Sequence, residues 1–512
     1  MNQTNPDGDE PANVWPLFSR RLSFSTISGF YDIQKNGSGT NYPWLEQYGY
    51  ESFIAGIPHP TGIIFTFGDV SLDSTADPSE ISNFESTLTF KTGVATWAYK
   101  WSPSGVSTTF QVSFKAIFSR VSPNLIAVEA QITPSSNVNG KVTDVLDGRS
   151  AVRSYLAEKK LDEKSTTILS AVHPDNLPNV TAYLVSTAKF DDKYTDKSSR
   201  VEASAPIVSA NGTTIGQTFD IALKAGQTAT FHKYVGVAST DKFEDAEAVA
   251  RKASKDGSAA GWSAAVSEHV AAWGELMTEA AIDNFTDPAT GQLPPDANIE
   301  ILQIATVANS FYLLQSLQPD GSGLNDNSIS VGGLASESYA GMIFWDADYW
   351  MAPGINLHFP SYAKQISNFR VKQYDQAKKN AAFNNYSDDS VLYSWTAGRY
   401  GNCTGTGPCV DYEYHLNHDI AFNLVQLYNI TQNKTWFDDG PKQIVESVAH
   451  MTGQLLEFNE TTKTYWIHNM TDPDEYAVSC PLPSQRQIAN ENRIKSTTEH
   501  LRLPPLLTFS SS

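Results

Sequence analysis

Val94-Ala-Thr-Trp-Ala-Tyr-Lys-Trp101, Ser107-Thr-Thr-Phe-Gln-Val-Ser-Phe-Lys-Ala-Ile-Phe-Ser-Arg120 and Asn124-Leu-Ile-Ala-Val-Glu-Ala-Gln-Ile-Thr133 decide the architecture of the first half of the chain. In each, polar residues alternate with apolar ones, so that every second side chain points to the same face, as in a half-buried strand. Pro103, Gly105 and Ser122-Pro-Asn124 punctuate them as turns. Working outward, Ser86 to Phe90 and Thr213 to Ser239 have the same texture, with Gly226-Gln227 separating two alternating runs in the second. Many short strands with regular turn signals predict an antiparallel β-sandwich over residues 1–240.

The texture changes at Asp241. Phe243 to Ala281 is rich in Ala, Glu and Lys, with a Gly-Ser-Ala-Ala-Gly break at 257–261, which predicts a pair of helices in a linker spanning 241–295. Ile299 to Leu317 then repeats apolar residues at helical spacing: Ile301, Ile304, Ala305, Ala308, Phe311 and Tyr312. Further helices are expected at 360–382, with Pro360 in the first helical position, and at 413–429 and 441–456. A helix with its loop takes roughly 25–30 residues, so 296–477 holds six or seven helices. That is about half of what a barrel of twelve needs. Residues 478–512 have neither helical nor strand period and read as an aberrant, unstructured tail.

Composition excludes several functions. The chain of 512 residues carries 36 Lys and Arg against 56 Asp and Glu, a formal charge of −20, which is the wrong sign for a nucleic-acid partner. It contains no apolar run of about 18 residues, so no helical membrane span is expected. Cys403 and Cys409 flank a glycine-rich loop that can close into one local bridge, and Cys480 is left over. Four ligands for a zinc site cannot be assembled from such spacing. Eleven Asn-X-Ser/Thr sequons (Asn2, Asn36, Asn179, Asn211, Asn284, Asn385, Asn402, Asn429, Asn433, Asn459 and Asn469) are roughly twice the number chance gives. They point to glycosylation, although the first residues lack the basic and apolar regions of a signal peptide.

Three segments carry chemistry. Phe344-Trp-Asp-Ala-Asp-Tyr-Trp350 packs three aromatic rings and two carboxylates into seven residues, a composition that suits a sugar subsite and equally an aromatic helix start with exposed acids. Tyr393-Ser-Trp-Thr-Ala-Gly-Arg-Tyr-Gly401 joins aromatics to a guanidinium fork, or is an ordinary aromatic turn. Asp411-Tyr-Glu-Tyr-His-Leu-Asn-His-Asp419 opens a helix. There Glu413 is a general acid if burial against Tyr412 and Tyr414 keeps it protonated, and otherwise complements the helix dipole. His415 and His418 lie three apart and can face one ligand, though histidines on a helix are mostly structural.

Taken together, these segments resemble the fungal acid trehalases of glycoside hydrolase family 65. The similar stretches are Trp15-Pro-Leu-Phe-Ser-Arg-Arg21, Trp44-Leu-Glu-Gln-Tyr-Gly49, Asp144-Val-Leu-Asp-Gly148, Phe344-Trp-Asp-Ala-Asp348, Tyr400 to Cys409, Asp411 to Leu416 and Asp472-Pro-Asp-Glu-Tyr-Ala477. The resemblance implies an N-terminal β-sandwich, a helical linker and a partial (α/α)6 barrel. It implies inverting hydrolysis of α,α-trehalose by water to two glucose molecules, with no cofactor and no metal. By the same resemblance Glu413 matches the general acid, Trp345 and Asp346 match the Trp-Asp pair of the glucose subsite, and Trp395 matches a further subsite Trp. Thr396 stands where the phosphorylases of the family keep Glu. The family's second carboxylate lies well beyond the Glu-X-His segment, so the expectation is a chain clipped at both ends and inactive for want of its base. The rival expectations are an α-glucoside phosphorylase relative and a non-catalytic glucoside-binding remnant. Secretion to the medium, the cell wall or the vacuole is implied by the resemblance and the sequons.

Overall fold

The computed structural model describes residues 24–33, 52–73, 76–205, 207–208, 211–278, 282, 285–336, 338–402, 413–468 and 470. Among the described residues thirteen strands come first: β1 Ile63–Phe67, β2 Val70–Leu72, β3 Ile81–Thr89, β4 Val94–Trp101, β5 Phe110–Phe118, β6 Leu125–Pro134, β7 Val138–Leu146, β8 Ser154–Leu161, β9 Thr167–Pro174, β10 Ala182–Phe190, β11 Thr195–Glu202, β12 Ile215–Leu223 and β13 Ala229–Ser239. They form two antiparallel sheets. One has the order β3-β4-β5-β6-β13-β10-β9-β8, the other β11-β12-β7-β1-β2. The inward residues of the alternating runs meet between them: Phe67 stacks on Phe110 at 4.3 Å, and Phe65 meets Phe231 edge-on at 5.3 Å. Each such fully buried ring contributes about 1.5–3 kcal/mol. The sandwich expected from the alternation is the one observed.

The polar exceptions in this core are matched. Lys233, on an inward position of β13, and Asp144, on β7, are both fully buried and form an ion pair at 2.7 Å. Lys233 Nζ also donates to the carbonyls of Gly62 and Val145, and Asp144 accepts from Ser186 Oγ and Gln217 Nε2.

Two helices follow, α1 Ala246–Ala260 and α2 Trp262–Leu276, broken at Gly261, whose φ of 84° suits glycine. Helix α1 lies close on β13: a Cβ on Gly236 would fall 1.8 Å from the Ala250 carbonyl oxygen. The remaining helices are α3 Ala297–Leu314, α4 Ala352–Asn356, α5 Pro360–Lys372, α6 Tyr374–Phe383, α7 His415–Thr431, α8 Lys434–Asp438 and α9 Pro441–Leu455. They make the partial (α/α)6 barrel. A short hairpin, β14 Glu457–Asn459 and β15 Thr464–Trp466, comes last. Arg120, in the turn after β5, ties sandwich to barrel. Its backbone N–H donates to His269 on α2, and its guanidinium donates to the Leu314 carbonyl on α3 while lying over the rings of Trp273 and Tyr362. No helix among the described residues is long and apolar enough to cross a membrane.

Two expectations are corrected. The run predicted as one helix over 360–382 is two, because the chain turns at Gln373, whose ψ of 4° leaves the helical region. Helix α3 forms, but its predicted apolar face is not buried as a whole. Phe311 and Leu314 are buried, while Ile301, Ile304 and Tyr312 are 63%, 57% and 47% exposed, Tyr312 being met on one side by the ring of Phe90.

Candidate active site

The loops at one end of the barrel are joined by a two-residue bridge. Ile343 and Ala397 exchange both backbone hydrogen bonds, each 2.9 Å, and so bring the Phe344–Trp350 and Tyr393–Gly401 segments side by side. Helices α5 and α7 hold both from beneath. Arg370 donates to the Phe344 carbonyl and, through Nε and Nη2, to Asp348 Oδ2; Tyr393 OH donates to the Arg370 carbonyl. Asn417 accepts from the Tyr393 N–H. A π-helical turn, Ala347–Met351, carries Asp348 inward and leaves Tyr349 and Trp350 at the surface.

Within this frame the predicted residues converge. Glu413, 5% exposed, sits just before α7. Its Oε2 lies 3.4 Å from Nε2 of His415, and neither atom makes a hydrogen bond among the described residues. The other ring nitrogen of His415 bonds Asp419 at 2.8 Å. The imidazole is met edge-to-face by both Trp345 and Trp395, each with ring centroids 5.2 Å away. Two indoles, an imidazole and a buried carboxyl therefore share one site. Asp346 is half-buried beside Trp345, and burial raises its carboxyl above the usual range.

Charge in the site follows from these contacts. Burial opposes charging of His415, but Asp419 and then Glu413 outweigh it and carry the ring's pKa up to about 9. Asp419 is raised by burial against the pull of His415. Asp348, fully buried, is raised by burial while Arg370 pulls it down.

The two histidines do not share a ligand. His418 turns away to bond Thr452 Oγ1 on α9 at 2.7 Å, and burial pushes its pKa down to about 4. Three residues in a helix span about 300° of rotation, and here two different neighbours claim the two rings. Sequence reasoning passed over Asp419 and Arg370. The spacing of His415 and Asp419, four apart on a helix, was the available signal for the first. Nothing marked Arg370, whose role depends on the folded loops.

Among the sequons, Asn179, Asn211, Asn385 and Asn429 are exposed, Asn433 and Asn459 are half-buried, and Asn402 is buried. Asn433 caps α8 by accepting from the Trp436 N–H. Asn2, Asn36, Asn284 and Asn469, the pair Cys403 and Cys409, Cys480 and the tail 478–512 lie outside the described residues. A cavity of about 670 Å³ on the smaller sheet, walled by Lys141, Asp192, Lys193 and Asp220, contains none of the residues of this site.

The glycosyl hydrolase family 65 N-terminal domain matches residues 10–276, and the central catalytic domain of the same family matches residues 308–501. The chain is 42% identical over 490 residues to an acid trehalase of Emericella nidulans, with 92% of the chain and 46% of the relative covered. It is 39% identical to a cell wall acid trehalase of Arthroderma benhamiae, again over 92% of the chain and 46% of the relative. A cell wall acid trehalase of Candida albicans is 32% identical, with 93% and 43% covered. The chain thus spans about half the length of the curated relatives it matches. Among solved structures, a putative kojibiose phosphorylase from the human microbiome superposes with a TM-score of 0.73 at 13% identity, over 95% of this chain and 61% of that one.

Proposed function

The chain belongs to glycosyl hydrolase family 65, and from that premise we propose that it serves the inverting hydrolysis of α,α-trehalose to two glucose molecules. The observation that carries the proposal is the convergence of Glu413 with Trp345 and Trp395 around His415. Indole faces and edges shield the C–H surfaces of a glucose unit from water, and Asp346 accepts from its hydroxyls. Glu413, next to that pocket, donates its proton to the oxygen between the two sugars as the bond breaks. A second carboxylate, which the resemblance puts well beyond the Glu-X-His segment, activates water on the opposite face, in the separation of about 6.5–9.5 Å that admits a water and inverts the anomeric carbon. Neither Asp348 nor Asp419 takes that part, because one is bound by Arg370 and the other by His415. The names of the trehalase relatives, two of them cell-wall proteins, support an extracellular or wall location. The excess of sequons supports the same location.

Glucose release from trehalose with and without inorganic phosphate tests the reading. Phosphate-independent release supports it. Release of glucose 1-phosphate makes the protein a phosphorylase, and trehalose binding by calorimetry without turnover makes it a glucoside binder.

A further inference from the structure

We propose that His415 is the positioning residue of Glu413: Asp419 fixes the imidazole through Nδ1, and Nε2 of the same ring holds Oε2 of Glu413. The carboxyl then presents its other oxygen to the bond being cut. The proposal rests on the reading of Glu413 as the acid.

Four observations combine. Asp419, His415 and Glu413 form a continuous line, with 2.8 Å on one side of the ring and 3.4 Å on the other. All three are buried, at 8%, 7% and 5% exposure, so water does not compete for these contacts. The two indoles, both edge-to-face with the imidazole, leave it little freedom to rotate. Finally, Glu413 Oε2 and His415 Nε2 make no hydrogen bond among the described residues, so at 3.4 Å each is the polar atom the other reaches by a small shift.

A charged imidazole donates from both nitrogens at once, to the Asp419 carboxylate on one side and to the carbonyl oxygen of the protonated Glu413 carboxyl on the other; a neutral one donates from a single nitrogen. The surrounding charges favour the charged form. Asp419 and Glu413 face the ring directly, and Asp348 from the π-helical turn and Arg370 from α5 act on Asp419 from its far side. His418 is the opposing neighbour; it is held neutral by burial and tied to Thr452. The charged ring therefore persists across the acid and neutral range, and with it the orientation of Glu413.

Histidine-selective NMR titration of the chain tests the line independently of turnover. The His415 signal is expected to titrate near pH 9, and to move toward the ordinary value by one pH unit or more in Asp419→Asn and, separately, in Glu413→Gln. Kinetics on trehalose supply the second readout. His415→Gln is expected to lower kcat about 100-fold with KM within threefold, because substrate still binds between the indoles while the acid is misdirected. An unmoved His415 titration in Glu413→Gln overturns the proposal, as does wild-type kcat in His415→Gln. A wild-type chain that leaves trehalose uncleaved contradicts the hydrolase reading instead, and the NMR titration then decides the positioning claim alone.

Discussion

The two halves of the molecule each bury an ion pair completely, and they treat it differently. In the sandwich, Asp144 and Lys233 meet two carbonyls, a hydroxyl and an amide besides each other. In the barrel, Arg370 and Asp348 are equally buried, yet Asp348 Oδ1 and Arg370 Nη1 make no hydrogen bond among the described residues. Asn356 Oδ1, Asn423 Nδ2, Glu413 Oε2 and His415 Nε2 nearby are in the same condition. Unmet buried polar atoms cost about 1–3 kcal/mol each, and a fold keeps them where they serve something besides stability. Among the described residues the sandwich leaves Thr195 Oγ1 and Tyr234 OH unmet but satisfies its buried ion pair, whereas the barrel end leaves its ion pair partly unmet beside the proposed site.

That contrast can be broken most sharply at Glu413. Glu413→Gln is expected to reduce trehalose hydrolysis about 1,000-fold, equivalent to about 4 kcal/mol of transition-state stabilisation, with no loss of thermal stability. Lys233→Ala should do the reverse. It strands Asp144 in a dry core and costs about 3–4 kcal/mol in chemical denaturation, through stability alone.

Acidity provides the next test, and the two histidines of α7 respond with opposite signs. His415 is raised from 6.5 to about 9, so its contribution is complete below pH 6.5 and is lost as the pH rises toward 9. His418 is lowered from 6.5 to about 4, so its contribution is complete above pH 6.5 and is lost as the pH falls toward 4. Denaturation midpoints across this range should therefore peak near pH 6.5. His418→Gln should flatten the acid slope, worth about 3 kcal/mol, and leave the alkaline slope in place. The smallest effect is expected at the junction of the halves. Arg399 pairs with Asp241 at 2.6 Å near the surface and also donates to the Tyr31 carbonyl. Arg399→Lys should cost about 1 kcal/mol by thermal melting and leave turnover within twofold.

The sequence made these halves unequally legible. Period-two alternation located β4 through β6 and β12 to β13, because one face of each is packed and a slip of one residue would invert every side chain. It passed over β8 and β11, whose side chains are mostly exposed and so carry no core pattern, and equally over β1, β7, β9 and β10, where long stretches are buried on both faces and the alternation is lost. Helix α3 shows the opposite failure: an apolar stripe predicted a buried face, and the described structure leaves Ile301 and Ile304 open. At the site, aromatic–acid clustering and resemblance named Glu413, Trp345, Asp346 and Trp395. Their meeting depends on the Ile343–Ala397 bridge and on Arg370, neither of which any local pattern announces.

The central claim, that Glu413 is the acid of an inverting trehalose hydrolysis, is tested most directly by proton NMR of the first turnovers. Wild-type protein should release one α- and one β-glucose from each trehalose before mutarotation, and Glu413→Gln should release neither. Two α-glucose molecules, or an unchanged rate in Glu413→Gln, would contradict the account.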